Sequence, residues 1–168
     1  DEKSDSIQES STMVTRRADR MVAKTKWFSS KKTLRAAQVT IQSLSTGKYL
    51  SATNKGYVVL VNRPATFAVW ERKSSSTSSQ LLGLLHQASQ KWAGQSYMTG
   101  NLACSASSFG QREEWQTETE NWQVTRLLLA SAGWGQGAYL KLSRDGTQVQ
   151  IGTGGVEGKQ AAELWCIR

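Results

Sequence analysis

The sequence predicts an all-β domain made of three similar units of short strands. Three observations predict it: an internal repeat, strand-like patterning inside each repeat, and no helical periodicity in the body of the chain. Laid against itself at offsets near 45 residues, the chain matches in units beginning at Val39, Leu81 and Thr125. Tyr49, Trp92 and Tyr139 recur at spacings of 43 and 47, and Trp70, Trp115 and Trp165 at 45 and 50. Gly56, Gly100 and Gly146 follow at 44 and 46.

In the first unit, Val39-Thr40-Ile41-Gln42 alternates as a half-buried strand does, and Thr46-Gly47 supplies a hairpin turn. Tyr49 and Leu50 then occupy neighbouring strand positions with opposite facing, so that one reaches the core. Asn54-Lys55-Gly56 offers the positive φ of a second tight turn before the apolar run Tyr57 to Val61, and Trp70 closes the unit. The second unit repeats this from Leu81 through Trp92 and Gly100 to Trp115. The third runs through Tyr139, the turn Arg144-Asp145-Gly146 and the strand Gln148 to Ile151 to Trp165. Four short strands per unit make twelve, and a closed barrel with hairpin caps buries their small faces without leaving free edges. The predicted fold is a β-trefoil over 36–168, with Trp70, Trp115 and Trp165 as equivalent core wedges. Trp134, inside Gly133-Trp134-Gly135-Gln136-Gly137, is out of phase with the repeat and is the expected exposed contact.

Residues 1–35 read as an N-terminal extension. They carry nine Lys/Arg against five Asp/Glu, half of the chain's net charge of +8. Residues 1–11 are acidic and serine-rich, a composition that does not fold alone. From Thr12, a capping residue, Val14, Ala18, Met21 and Val22 fall on one helical face opposite Arg16, Arg17, Arg20 and Lys24. This describes one short basic amphipathic helix that needs a surface to fold against. Arg16, Arg17, Arg20 and Lys24 are the expected electrostatic contacts to an acidic protein partner, with Trp27 and Phe28 as apolar anchors. The serine-rich stretch from Lys73 to Ser79 reads as a connector.

Catalytic constellations are weak. His86 is the sole histidine and sits in a strand-like run, where a ring with satisfied hydrogen bonds is expected in preference to a general base. Glu113 and Glu114 are adjacent and face opposite ways on a strand, so they do not flank one bond. Gly152 to Gln160 resembles a phosphate loop but has Thr153 where the first glycine belongs and Gln160 in place of the magnesium-binding hydroxyl. No helical pattern follows it, and a turn is expected. Cys104 and Cys166 are 62 residues apart without a Cys-x-x-Cys motif; a disulfide and two buried thiols both stay open, and a tetrahedral zinc site lacks ligands. No Asn-x-Ser/Thr sequon occurs. Body lysines and arginines are scattered rather than interleaved with aromatics, so no nucleic acid partner is expected.

The elements Val39-Thr40-Ile41-Gln42-Ser43, Gly47-Lys48-Tyr49-Leu50-Ser51-Ala52 and Gly56-Tyr57-Val58 resemble the repeat of fascin-type β-trefoils. The resemblance covers roughly 36–168, is best in the first unit, and implies fold more than task. Fascins string four trefoils together, whereas this chain resembles one. Histidine-rich hisactophilins begin with a myristoylated glycine, and this chain has one histidine and opens on Asp1. Ricin-type lectins carry Gln-x-Trp where Ala68-Val69-Trp70, Glu113-Glu114-Trp115 and Glu163-Leu164-Trp165 stand here.

The expectation is therefore a non-catalytic protein-binding or scaffolding trefoil without cofactor or metal. It is expected to be an accessory subunit of a larger assembly, held by its N-terminal tail and touching membranes only indirectly. Opening on Asp1 rather than methionine, together with the docking tail, favours an organellar complex of respiratory or photosynthetic type, in a plastid or mitochondrion, over the cytosol. A fascin-type actin-binding module and a carbohydrate-binding trefoil are the alternatives.

Overall fold

A computed structural model describes residues 33–73, 80–121 and 123–168. Twelve strands run in chain order: β1 (Thr33–Ser43), β2 (Tyr49–Ala52), β3 (Val58–Val61), β4 (Thr66–Lys73), β5 (Gln80–His86), β6 (Lys91–Gln95), β7 (Leu102–Ala106), β8 (Trp115–Asn121), β9 (Val124–Leu129), β10 (Ala138–Leu142), β11 (Val149–Ile151) and β12 (Trp165–Ile167). Six of them close a barrel by antiparallel pairing, in the cyclic order β1, β4, β5, β8, β9, β12 and back to β1. The other six pair as hairpins, β2–β3, β6–β7 and β10–β11. This is the β-trefoil, with β1 starting at Thr33, three residues before the expected body.

Closure leaves no barrel strand with a free edge, and alternation along each strand sends one set of side chains inward. Ile41, Leu84 and Leu127 form one equivalent trio of that interior, and Leu50, Ala93 and Leu140 another, all buried. The wedge trio differs from the expectation. Phe67, Trp115 and Trp165, exposed by 1%, 1% and 0%, stand opposite His86, Leu129 and Ser43, the last residues of β5, β9 and β1. Phe67 therefore takes the place predicted for Trp70. Trp70 lies three positions further on, opposite Gly83, and its ring joins Trp92 and Phe109 in a second aromatic cluster. A Cβ on Gly83 would come within 2.7 Å of Trp92 and 2.8 Å of Phe109, so the cluster requires glycine there.

The turn glycines Gly56, Gly100 and Gly146 have φ of +86°, +71° and +74°, as the turn signals predict. Gly152–Gln160 departs from its prediction: residues Gly155–Ala161 form a helix, α1. A seven-residue helix with only Gly158 buried has no apolar stripe to betray it. Side chains from the barrel brace it, with Lys159 Nζ 2.9 Å from Glu118 Oε1 and Arg126 Nε donating to the Lys159 carbonyl oxygen at 3.2 Å. The expected tail helix and the contacts Arg16, Arg17, Arg20, Lys24, Trp27 and Phe28 lie outside the described residues, as does most of the serine-rich connector.

Candidate functional site

The three hairpins meet at one end of the barrel, with β3, β7 and β11 in mutual contact. Backbone packing sets their approach: the Cys104 N–H donates to the Gly56 carbonyl oxygen at 2.8 Å, and a Cβ on Gly56 would sit 2.9 Å from that of Ser105. Between them lies a cleft of about 790 Å³. Its polar lining comes from all three units: Tyr57 after the first turn, Gln95 and Asn101 on the second hairpin, and Lys141, Gln148 and Gln150 on the third. Gln95 donates its amide N–H to the Gly100 carbonyl oxygen at 2.9 Å, which fixes the side chain by its nitrogen. Its amide oxygen is the acceptor left over. Among the described lining residues, Lys141 carries the only charge at neutral pH.

Trp134 lies in the loop that reaches the cleft through Gly133. The step from the last barrel residue to the aromatic opening each hairpin is six positions in units one and two (Ser43 to Tyr49, His86 to Trp92) and ten in unit three (Leu129 to Tyr139). The four extra residues are Gly133–Gln136. Gly133 lines the cleft, and Trp134 is fully exposed with φ +60°. The loop is nonetheless held: Gly137 N–H donates to the Ala132 carbonyl oxygen at 2.9 Å, and a Cβ on Gly154 would lie 2.4 Å from the Gly137 oxygen. A left-handed tryptophan costs about 1–2 kcal/mol, and the surrounding structure has to over-determine it.

The other sequence candidates are occupied structurally. His86 ends β5, where its ring tilts against Phe67 with centroids 5.3 Å apart. Ser89 N–H donates to His86 Nδ1 at 3.3 Å, and Ser51 Oγ lies 3.4 Å from Nε2. Nδ1 is thus an acceptor, and the neutral ring carries its proton on Nε2, facing Ser51, so it is not arranged to take a proton from that hydroxyl. Burial holds its pKa below the usual 6.5. Glu113 ends a 3-10 turn and Glu114 follows it, instead of both lying on a strand. Glu113 accepts the Gly110 N–H at 3.0 Å, and burial pushes its carboxyl upward. Glu114 lies 3.3 Å from the buried Arg72 guanidinium, which also donates to the Phe109 and Gly110 carbonyl oxygens and covers the Phe109 ring at 4.0 Å. Cys104 and Cys166 are unbonded. Cys104 is buried with its thiol pushed up to about 11, and Cys166 is half-buried. Among the described residues no three His, Cys, Asp or Glu side chains converge.

The polar residues of the cleft were not singled out by sequence reasoning; Trp134 was, because it breaks the phase of the repeat. No family model matches the chain, and no curated protein matches it. Among solved structures the chain is similar to a Gallus interleukin-1 beta mutant (TM-score 0.63, 11% identity, over 83% of this chain and 99% of that one). It is also similar to SeviL bound to asialo-GM1 saccharide (0.54, 14%, 78% and 95%). A complex of lysenin with phosphocholine gives 0.54 at 11% identity, over 80% of this chain but 45% of that one. At such identities the shared property is the fold, a β-trefoil.

Proposed function

We propose that the chain is a non-catalytic recognition module that takes an uncharged, hydroxyl-rich ligand of the carbohydrate class into the cleft between its hairpins. The observation that carries this reading is the lining: amide side chains Gln95, Asn101, Gln148 and Gln150 from two hairpins beside the exposed ring of Tyr57, with a single charge among the described lining residues. Amides donate and accept at once, which suits hydroxyl groups that do the same. A cleft this large with few charges suits a neutral ligand better than an acidic filament surface, which calls for clustered cations. Trp134 adds an apolar face on the loop that reaches the cleft. The fold is shared with a saccharide-bound protein, SeviL, but the reading rests on the cleft.

A second reading, the protein-binding scaffold with fascin-type actin binding as a special case, has one observation in its favour. Tyr97 and Met98 are 80% and 85% exposed on the β6–β7 turn, with Arg112 over the Tyr97 ring at 4.8 Å. Aromatic and arginine anchors of this kind are common at protein interfaces. The tail contacts and an organellar assembly rest on sequence alone.

A glycan array probed with the full chain tests the first reading. A saccharide hit should bind equally well at low and moderate salt, because no ion pair carries the contact. Asn101→Ala with Gln148→Ala should then weaken it by about tenfold or more. An array without hits, together with salt-sensitive pelleting with actin filaments, would replace this reading with the second.

A further inference from the structure

The barrel has two ends, and the hairpins cover one. At the other, a mouth of about 200 Å³ opens between the strands, walled by Ala37, Val39, Val69, Leu82 and Ile167 and deepened to the Trp115 ring. Its walls are almost wholly apolar, with Glu71 from β4 as the one carboxylate among the described lining residues and Thr117 from β8 adding a hydroxyl. A water-filled apolar recess of this kind forfeits burial worth roughly 25 cal/mol per Å².

We infer that this mouth is a docking site for the chain's own N-terminal segment, with the Trp27 indole inside it and its ring N–H donated to Glu71. Four features of the molecule select this occupant. The first is reach. β1 begins at Thr33 and Ala37 lies at the mouth, about 13 Å along the strand. The six residues from Trp27 to Thr33 span up to about 20 Å, enough to double back over that distance. The second is size: an apolar cavity of about 150 Å³ accepts benzene, so about 200 Å³ admits one indole but not a second ring, leaving Phe28 on the rim. The third is charge, since Trp27-Phe28 is bracketed by Lys24, Lys26, Lys31 and Lys32, and the wall it would meet carries a carboxylate. The fourth is that a buried indole wants an acceptor for its N–H, and the Glu71 carboxylate supplies one, with the Thr117 hydroxyl as the other side-chain oxygen among the described lining residues. A tether this short gives an effective concentration in the millimolar range, on the order of 10⁻³ M, so an external partner for the segment must outcompete the mouth.

The test uses the full chain, with isoleucine, leucine and valine methyls labelled for NMR. Docking predicts that Trp27→Ala changes the ring-current shifts of the Val39, Val69, Leu82 and Ile167 methyls, leaving only the part due to Trp115, and that Glu71→Gln moves an indole N–H resonance which is absent in Trp27→Ala. Trypsin cleavage after Lys24 and Lys26 should be about tenfold faster in Trp27→Ala, because cleavage then no longer waits for opening. Neither substitution touches the closed part of the core, so folding is retained and is checked by the methyl spectrum of Ile41 and Leu127. Unchanged mouth methyls in Trp27→Ala would overturn the inference. Shifts that grow with protein concentration would overturn it too, by assigning the ring to a second copy.

Discussion

At Arg72 a cation lies in the interior, contacted from three sides by a carboxylate, two backbone carbonyl oxygens and the face of Phe109, while its Nε is left without a hydrogen-bond partner. Such a group stabilises less than its contacts suggest, since desolvation offsets the attraction, but removing one partner strands the other. Arg72→Met should therefore cost about 3–5 kcal/mol in urea unfolding, because Glu114 is left buried and charged. Replacing both, Arg72→Met with Glu114→Leu, should recover most of that loss. A double variant no more stable than Arg72→Met would show that the hydrogen bonds to the 109–110 backbone, and not the ion pair, are what the site depends on. The pair was invisible in the sequence, where Arg72 and Glu114 stand 42 residues apart and Glu113 and Glu114 read as strand neighbours.

The repeat made the elements legible because each hairpin turn needs a positive φ at one place, and glycine marks it. What the repeat left unread follows from insertions and from parity. Spacing aligned Trp70 with Trp115 and Trp165, yet Trp70 lies an odd number of positions from Phe67 on the same strand, and odd steps reverse the facing of a side chain. Helix α1 was missed because glycine-rich backbone approach rather than an apolar stripe positions it: a Cβ on Gly158 would come within 2.0 Å of the Thr153 oxygen. The cleft was missed because Gln95, Asn101 and Gln148 are ordinary turn-flanking residues until three hairpins bring them together. The third β-barrel-to-hairpin connection is the element on which this reasoning can be checked. Deleting residues 133–136 should return it to the six-position step of the other two units. The shortened chain is expected to fold with a melting temperature equal to or above that of the parent, since a left-handed tryptophan is removed and the loop is shortened. Its affinity for a saccharide identified on the array should fall, while Gln136→Ala alone changes neither.

For the whole molecule, stability against pH is set by a few buried groups, because the chain has one histidine and two cysteines. His86 has its pKa depressed by burial, so the unfolded chain takes up a proton first as the pH drops below 6.5. Stability from this group is complete above 6.5 and declines as the pH falls toward the folded value. Cys104 acts with the opposite sign. Its thiol is raised from 9.0 to about 11, so its contribution is complete below 9 and is lost as the pH rises from 9 to 11, where the unfolded chain ionises and the folded one does not. Glu113, raised by burial above 4.5, works against His86 at acid pH, since the folded state there holds the extra proton. The profile of unfolding free energy should accordingly be flat between about pH 7 and 8, fall on both sides, and flatten again near pH 4–5. Urea titrations from pH 4 to 10.5 measure it. His86→Gln should remove the decline between 6.5 and 5 and leave the alkaline limb, and Cys104→Ala should remove the limb above 9 and leave the acid one, whatever each does to the plateau height. A decline between pH 6.5 and 5 that survives His86→Gln would exclude the His86 ring as its source, since the carboxylates held low by hydrogen bonds, Glu118 and Asp145, lose their contribution only below their ordinary values of 4.5 and 3.8.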